Sequence, residues 1–269
     1  MDGFMAGAED ANLAPDRLCR LRQAIENIQH FQFDRERPPL ALGAADADSM
    51  LGGGLSFGAL HETAPERPGD FGAACGFTLA LACLAAKDGG ETLWIQTDFA
   101  RYEGGALYGT GFDLFGLLSQ RLLVLRARRA VDALFAMEEA LKCRAVASVI
   151  AELPDDTADL TATRRLSLAA RDHRGLGLLL RHRSSSMPSA AMTRWNVAAA
   201  SGPRDDFGGI GITNFLLSLV KNRRGPCGRW NVAWDHHACG FVPQSFADKA
   251  DSLGVAAASA DGPPLAAFA

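Results

Sequence analysis

The stretch from Leu51 to Lys87, LGGGLSFGALHETAPERPGDFGAACGFTLALACLAAK, most constrains what this chain can fold into. A glycine run leads into a short apolar segment, Ala59-Leu60-His61-Glu62. A loop of Pro, Gly and Asp follows, then an apolar helix-like run from about Ala73 to Ala86. Strand, glycine-bearing loop and helix come in the order that P-loops use to cradle phosphate on backbone N–H groups and a helix N-terminus. That chemistry also needs a Lys for the β/γ-phosphates and, directly after it, a Ser or Thr for Mg²⁺. No Lys stands between Glu62 and Ala86, Arg67 precedes the glycines, and Asp70 adds a negative charge where phosphate would sit. If Gly69, Gly72, Cys75 and Gly76 form the remnant loop, the Lys position falls near Cys75 or Gly76. Thr78, the nearest hydroxyl, then reads as a helix residue. A charge-assisted hydrogen bond is worth about 1.5–3 kcal/mol, and losing several removes useful ATP hydrolysis. The expectation is a degenerate P-loop: a nucleotide-binding scaffold without nucleotide chemistry, with no cofactor.

At 269 residues the chain can bury a sizeable core, and its 48% hydrophobic and 22% charged content is ordinary for a globular protein. A net charge of −4 argues against a general electrostatic grip on nucleic acid, though not against a local basic patch. No apolar run reaches the roughly 20 residues of a bilayer span, and the N-terminus is unlike a signal peptide. Cys19, Cys75, Cys83 and Cys143 sit inside apolar helical patterns, which fits reduced thiols in a cytoplasm.

The pattern predicts a disordered leader over 1–14 and an N-terminal helix with a linker arm over 15–50. A core domain over 51–244 and a flexible tail over 245–269 complete the order. Leu18, Leu21, Ile25 and Ile28 recur at helical spacing and, with Phe31 and Phe33, form an apolar stripe for partner or self-association. Strands are expected at 92–97, 122–126, 145–152 and 177–181, with helices at 130–144 and 161–173. This alternation implies βαβ units and a mainly parallel, twisted sheet flanked by helices. Segments 192–199, 214–221 and 229–235 read as an antiparallel extension on the C-terminal side.

Several phrases resemble a RecA-type core: LGGGLSFGALHE for the entry into its first strand, TLWIQTD for the next, SVIAELP for a Walker B strand and LSLVKNRRGPCGRWNVAWD for the late hairpin. Within that group the chain resembles the ImuA family, RecA-like proteins of bacterial damage-inducible mutagenesis cassettes. GALHE (58–62), RLLVLRA (121–127), EEALKCRAVASVIAEL (138–153), DLTATRRLSLAA (159–170) and AAMTRWNV (190–197) carry that resemblance. It implies a non-catalytic accessory role in SOS-induced translesion synthesis. The implied partners are a Y-family-like polymerase homologue and a specialised replicative-type polymerase.

The resemblance also points to acids at Asp98 and Glu152, which in working relatives orient water and hold Mg²⁺. Without the Lys they read as remnants, solvated or capping a loop. In RecA-like proteins the loop after Arg181 touches single-stranded DNA. The DNA-binding candidates are therefore Arg181, Arg183 and Arg194, with Lys221, Arg223 and Arg224 around the hairpin turn. Solvated surface is the blander reading of all six. Cys227, His236, His237 and Cys239 match no common zinc spacing, so no metal is expected. Ser184-Ser-Ser186 lacks the surroundings of a nucleophile elbow. RecA-like proteins without P-loops also include SulA, which sequesters FtsZ, so a regulatory binder is the competing class.

Overall fold

A computed structural model of the protein describes residues 38–154, 157–202 and 212–243. The helix expected over 15–30, with Leu18, Leu21, Ile25, Ile28, Phe31 and Phe33, lies outside the described residues, as does the tail from Ser245. The strands are β1 (Ala59–Pro65), β2 (Glu91–Thr97), β3 (Leu122–Ala127), β4 (Val146–Leu153), β5 (Leu176–Arg181), β6 (Thr193–Ala200), β7 (Thr213–Asn222), β8 (Gly228–Asp235) and β9 (Gly240–Pro243). Among the described residues they form one sheet in the order β3-β2-β4-β5-β1-β6-β7-β8-β9. From β3 through β6 every pair is parallel, and from β6 through β9 every pair is antiparallel. The mainly parallel α/β class expected from the alternation is the observed one.

β6 joins the two parts of the sheet. It pairs antiparallel to β7, as expected of the C-terminal extension, and parallel to β1, where its register sets Glu62 opposite Arg194. The chain leaves β5 on one side of β1 and returns as β6 on the other, a crossover that a tight hairpin cannot make.

The helices are α1 (Ala45–Met50), α2 (Phe71–Ala86), α3 (Asp98–Gly104), α4 (Gly109–Leu114), α5 (Ala130–Leu141) and α6 (Leu160–His173). α2 packs on β1, β4, β5 and β6, while α5 and α6 pack on the sheet with a second core of their own and against each other. α2 is apolar around its whole circumference because it is buried around most of it. Trp94, Trp195 and Phe215 from the sheet share its core with Leu40, Leu42, Leu55, Phe112 and Leu117 from flanking segments. By length and composition alone Pro68–Ala86 could cross a membrane, yet here it is the central helix of an α/β layer. Residues 40–50, expected as part of a linker arm, thus contribute to the same core. Gly43 makes that docking close: at φ +67°, a Cβ there would lie 2.3 Å from the Phe241 carbonyl oxygen on β9.

Of the two short helices, α4 arises where the sequence is glycine-rich and intrinsic helix preference is low. A local cap holds α3 and a tertiary contact holds α4. The Thr97 hydroxyl caps α3 by accepting from Ala100 N at 3.1 Å, and Phe112 of α4 meets Trp94 edge-on at 5.5 Å. α6 has the cap its sequence announces, with Asp159 accepting from Ala162 N at 2.7 Å.

Candidate functional site

A cleft of about 490 Å³ opens between the first turns of α2, the C-terminal ends of β2 and β4, the start of β7 and the segment from Gly104 to Phe115. Open α/β sheets bind ligands in this position, outside the carboxyl ends of their strands. The turn entering it differs from the expected loop over residues 69–76. After β1 the chain makes a 3₁₀ turn, Pro68–Asp70, and α2 starts at Phe71. Only Gly69 precedes the helix; Gly72, Cys75 and Gly76 lie within it. No residue from Pro65 to Gly76 has a positive φ. The backbone N–H groups therefore do not alternate into the concave nest that surrounds a phosphate.

The side chains complete the contrast. Phe71, Leu79, Leu107, Phe112, Phe115 and Phe215 are among the lining side chains, and among the described residues no Lys or Arg lines the cleft. Asp70 stands at the N-cap position without a side-chain cap bond, and its Oδ1 instead accepts from Ala199 N at 3.2 Å. Burial, and then Glu152, push the Cys75 thiol up to about 12, so a thiolate is not available there. The Thr78 hydroxyl donates to Ala74 O at 2.7 Å and accepts from Thr63 at 2.6 Å. It is a helix and core group, as the sequence suggests.

Glu152, expected to be solvated or to cap a loop, is instead 2% exposed. Its Oε2 accepts from Gln96 Nε2 at 2.9 Å and Trp94 Nε1 at 3.3 Å, and its Oε1 lies 3.1 Å from His182 Nε2. The His182 ring stacks on Phe71, with centroids 4.3 Å apart. Gly104 closes over this network, where an added Cβ would sit 3.0 Å from Phe71 and 3.1 Å from Glu152. Asp98 does not join it; it is exposed at the start of α3. The two acids are thus separated in role. A further acceptor stands in the wall: Asn214 is 6% exposed, its Nδ2 donates to Ile212 O at 2.6 Å, and its Oδ1 has no partner among the described residues. A carboxylate floor, an unpaired amide oxygen and aromatic walls suit a neutral or cationic apolar group. They repel a triphosphate, since like charges about 4 Å apart cost roughly 4 kcal/mol at an effective dielectric of 20.

The basic candidates divide. Arg181 is 1% exposed and Arg194 6%, and both turn inward onto Glu62, which is fully buried in β1. Arg181 Nη2 lies 3.0 Å and Arg194 Nε 2.5 Å from its two oxygens, and Ser189 Oγ donates to it at 2.7 Å. Burial would raise the Glu62 carboxyl, but the two guanidiniums and Ser189 outweigh it and hold it below the usual range. The remaining Arg194 nitrogens donate to the Ser185 and Met187 carbonyls at 2.5 and 2.8 Å. Of the DNA candidates, Arg181 and Arg194 thus serve as internal counter-ions to Glu62, with little guanidinium surface exposed. Lys221 is half-buried, and its Nζ donates to Ser189 O. Arg183 and Arg223 are exposed, and Arg224 is half-buried. Together with Ser184–Ser189, Arg194 and Lys221 border an open groove of about 590 Å³. Among the described residues no group of metal-ligating side chains converges.

No family model matches the chain. Two strains of Caulobacter vibrioides, NA1000 / CB15N and ATCC 19089 / CIP 103742 / CB 15, carry a Protein ImuA that is 32% identical to it over 238 residues, covering 83% of this chain and 94% of that protein. The chain belongs to the ImuA family. In this ImuA-family fold, GALHE enters and begins β1, with the Glu62 centre inside it, and RLLVLRA is the edge strand β3. EEALKCRAVASVIAEL runs from α5 to the end of β4, at Glu152 and Leu153, while DLTATRRLSLAA caps and builds α6. The phrase AAMTRWNV places Arg194 opposite Glu62. Glu62 itself, the hub of the buried ion cluster, was not singled out by spacing. The signal was there: a carboxylate in a segment read as a buried strand calls for a charge or hydrogen-bond partner from elsewhere in the fold.

Proposed function

We propose that this chain is a RecA-like adaptor, without ATPase chemistry, in SOS-induced translesion DNA synthesis in the cytoplasm. It would assemble with a Y-family-like polymerase homologue and a specialised replicative-type polymerase. One observation carries the non-catalytic part. The cleft at the strand ends has a buried carboxylate, aromatic walls and, among the described residues, no cation in its lining. Family membership supports the damage-tolerance part.

DNA contact in this reading falls to Arg183, Lys221 and Arg223 beside the serine-lined groove, since Arg181 and Arg194 are committed to Glu62. Co-purification of the full chain with the two polymerase partners tests the assembly, and recovery of FtsZ in their place would select the regulatory-binder reading. Charge reversal at Arg183 and Arg223 together should lower retention of single-stranded DNA by the complex several-fold at low salt.

The cleft gives a sharper expectation. Titration of the full chain with ATP and Mg²⁺ should show no saturable heat up to about 1 mM, and phosphate release with single-stranded DNA should stay at background. Saturable binding below that concentration, lost on a Gly72→Glu change, would overturn the non-catalytic reading.

A further inference from the structure

Edge strands in globular folds are normally blunted by shortness, proline, or charges turned inward. β9, at one end of the sheet, is four residues long and closes on Pro243. β3, at the other end, has neither device. It runs six residues, LLVLRA, with Leu123 52% exposed, Val124 50% and Leu125 40%. Its parallel register with β2 sets Leu122 and Val124 beside Thr92 and Trp94, and Leu123 and Leu125 beside Leu93 and Ile95. Side chains alternate between faces, so half-covered apolar surface stands on both sides of the strand. Among the described residues no backbone hydrogen bond reaches its outer edge. Arg121, Arg126 and Arg128 flank this edge, exposed and without an ion-pair partner among the described residues, whereas Arg129 is held by Asp132 at 2.8 Å.

We propose that β3 is a docking edge for an extended segment of another protein, apolar at alternate positions and acidic at both ends, which joins the sheet as an additional strand. Backbone hydrogen bonds supply affinity in such strand addition, and the side chains supply specificity. Charge selects the occupant. A second copy pairing edge to edge about the point between Val124 and Leu125 sets Arg121 opposite Arg128 at each end of the ladder, and like charges directly opposite are destabilising. An acidic-ended strand meets the same arginines as counter-ions. The inference stands on the edge alone and does not depend on the adaptor reading, although it would give an adaptor its surface.

Two synthetic peptides test it on the full chain: Glu-Glu-Val-Thr-Val-Thr-Val-Glu-Glu and its counterpart with lysine at the four terminal positions. The acidic peptide should bind roughly tenfold tighter or better, with the preference falling as salt rises. The variant R126E/R128E should reverse that preference, which a merely misfolded variant could not do. Hydrogen exchange should show amides in 122–127 unprotected at the outer edge in the free chain and protected in the complex. Equal binding of both peptides would overturn the proposal. So would full protection of the edge without peptide, which indicates a segment of this chain already there, or a dimer that L123K/L125K dissolves.

Discussion

Replacing Glu62 by alanine should destabilise the protein by about 3–5 kcal/mol, a large share of a domain's total stability. The size follows from what remains behind. Arg181 and Arg194 are almost wholly buried, and their nearest anionic oxygens are those of Glu62 at 3.0 and 2.5 Å. Guanidinium groups do not deprotonate in proteins, so the variant must either hold two unbalanced charges in its core or open to let water reach them. The burden is sharpest at Arg181: among the described residues its Nε already lacks a hydrogen-bond partner, and its Nη2 would keep the Ala158 carbonyl at 3.2 Å alone. The effect should reach the serine loop too, because Arg194 holds the Ser185 and Met187 carbonyls and Ser189 hydrogen-bonds to Glu62. Urea unfolding of E62A and E62Q measures the loss. Glutamine keeps the shape but not the charge, so E62Q should fall close to E62A. Arg229→Ala provides the contrast: its partner Glu66 lies 2.8 Å away at the surface, and its removal should cost less than about 1 kcal/mol. If E62A costs no more than R229A, the buried cluster is not what ties β1 to β5 and β6.

That cluster also shows where sequence reading stops. Strands at 91–97, 146–153 and 176–181 are apolar runs that any βαβ template recovers, and the helices over 130–141 and 160–173 carry their periodicity openly. The class of the fold was legible for that reason. The basic run Arg181-His182-Arg183 was not, because a local run of charge says nothing about which strand end it occupies. Arg181 closes a strand buried along its entire length, His182 turns to Glu152, and only Arg183 faces water. Pairing Arg194 with Glu62 needs the β1–β6 register, a contact between residues 132 positions apart. The cleft was half legible. The missing Lys could be read directly, but Phe115, Phe215 and Asn214 come from segments that only the tertiary fold brings to α2. The short helix α4 in the glycine-rich segment was invisible because packing of Phe112 on Trp94 and Phe115 on Trp234, not propensity, makes it.

Acid should unfold this protein sooner than its carboxylates alone would require, and His61 is the reason. The ring is fully buried in β1, with Nε2 2.9 Å from the Ser56 carbonyl and Nδ1 2.7 Å from Thr193 Oγ1. A carbonyl only accepts, so Nε2 carries the proton and Nδ1 accepts from the threonine hydroxyl. That hydroxyl oxygen in turn accepts from Trp195 Nε1 at 2.8 Å. Protonating Nδ1 would make the threonine oxygen accept from both rings and leave its own hydroxyl proton in need of another acceptor inside the core. Burial is the main cause of a pKa lowered from 6.5 to about 4, and the Arg224 charge adds to it against the Ser56 hydrogen bond. Because the folded value is the depressed one, the unfolded chain takes the proton first as pH falls. Stability is therefore complete above about pH 6.5, declines between there and about pH 4, and levels off below, for a total near 3 kcal/mol. Glu62 contributes with the same sign but lower on the scale, since its folded value lies beneath an unfolded one of 4.5. The two losses thus separate on the pH axis. Urea unfolding at half-unit steps from pH 7.5 to 4.5 should show the decline in the parent protein. His61→Gln should be weaker at pH 7.5 yet nearly flat across the interval. An equally steep decline in H61Q would assign the acid sensitivity to another group and leave the neutral buried ring without the role given to it.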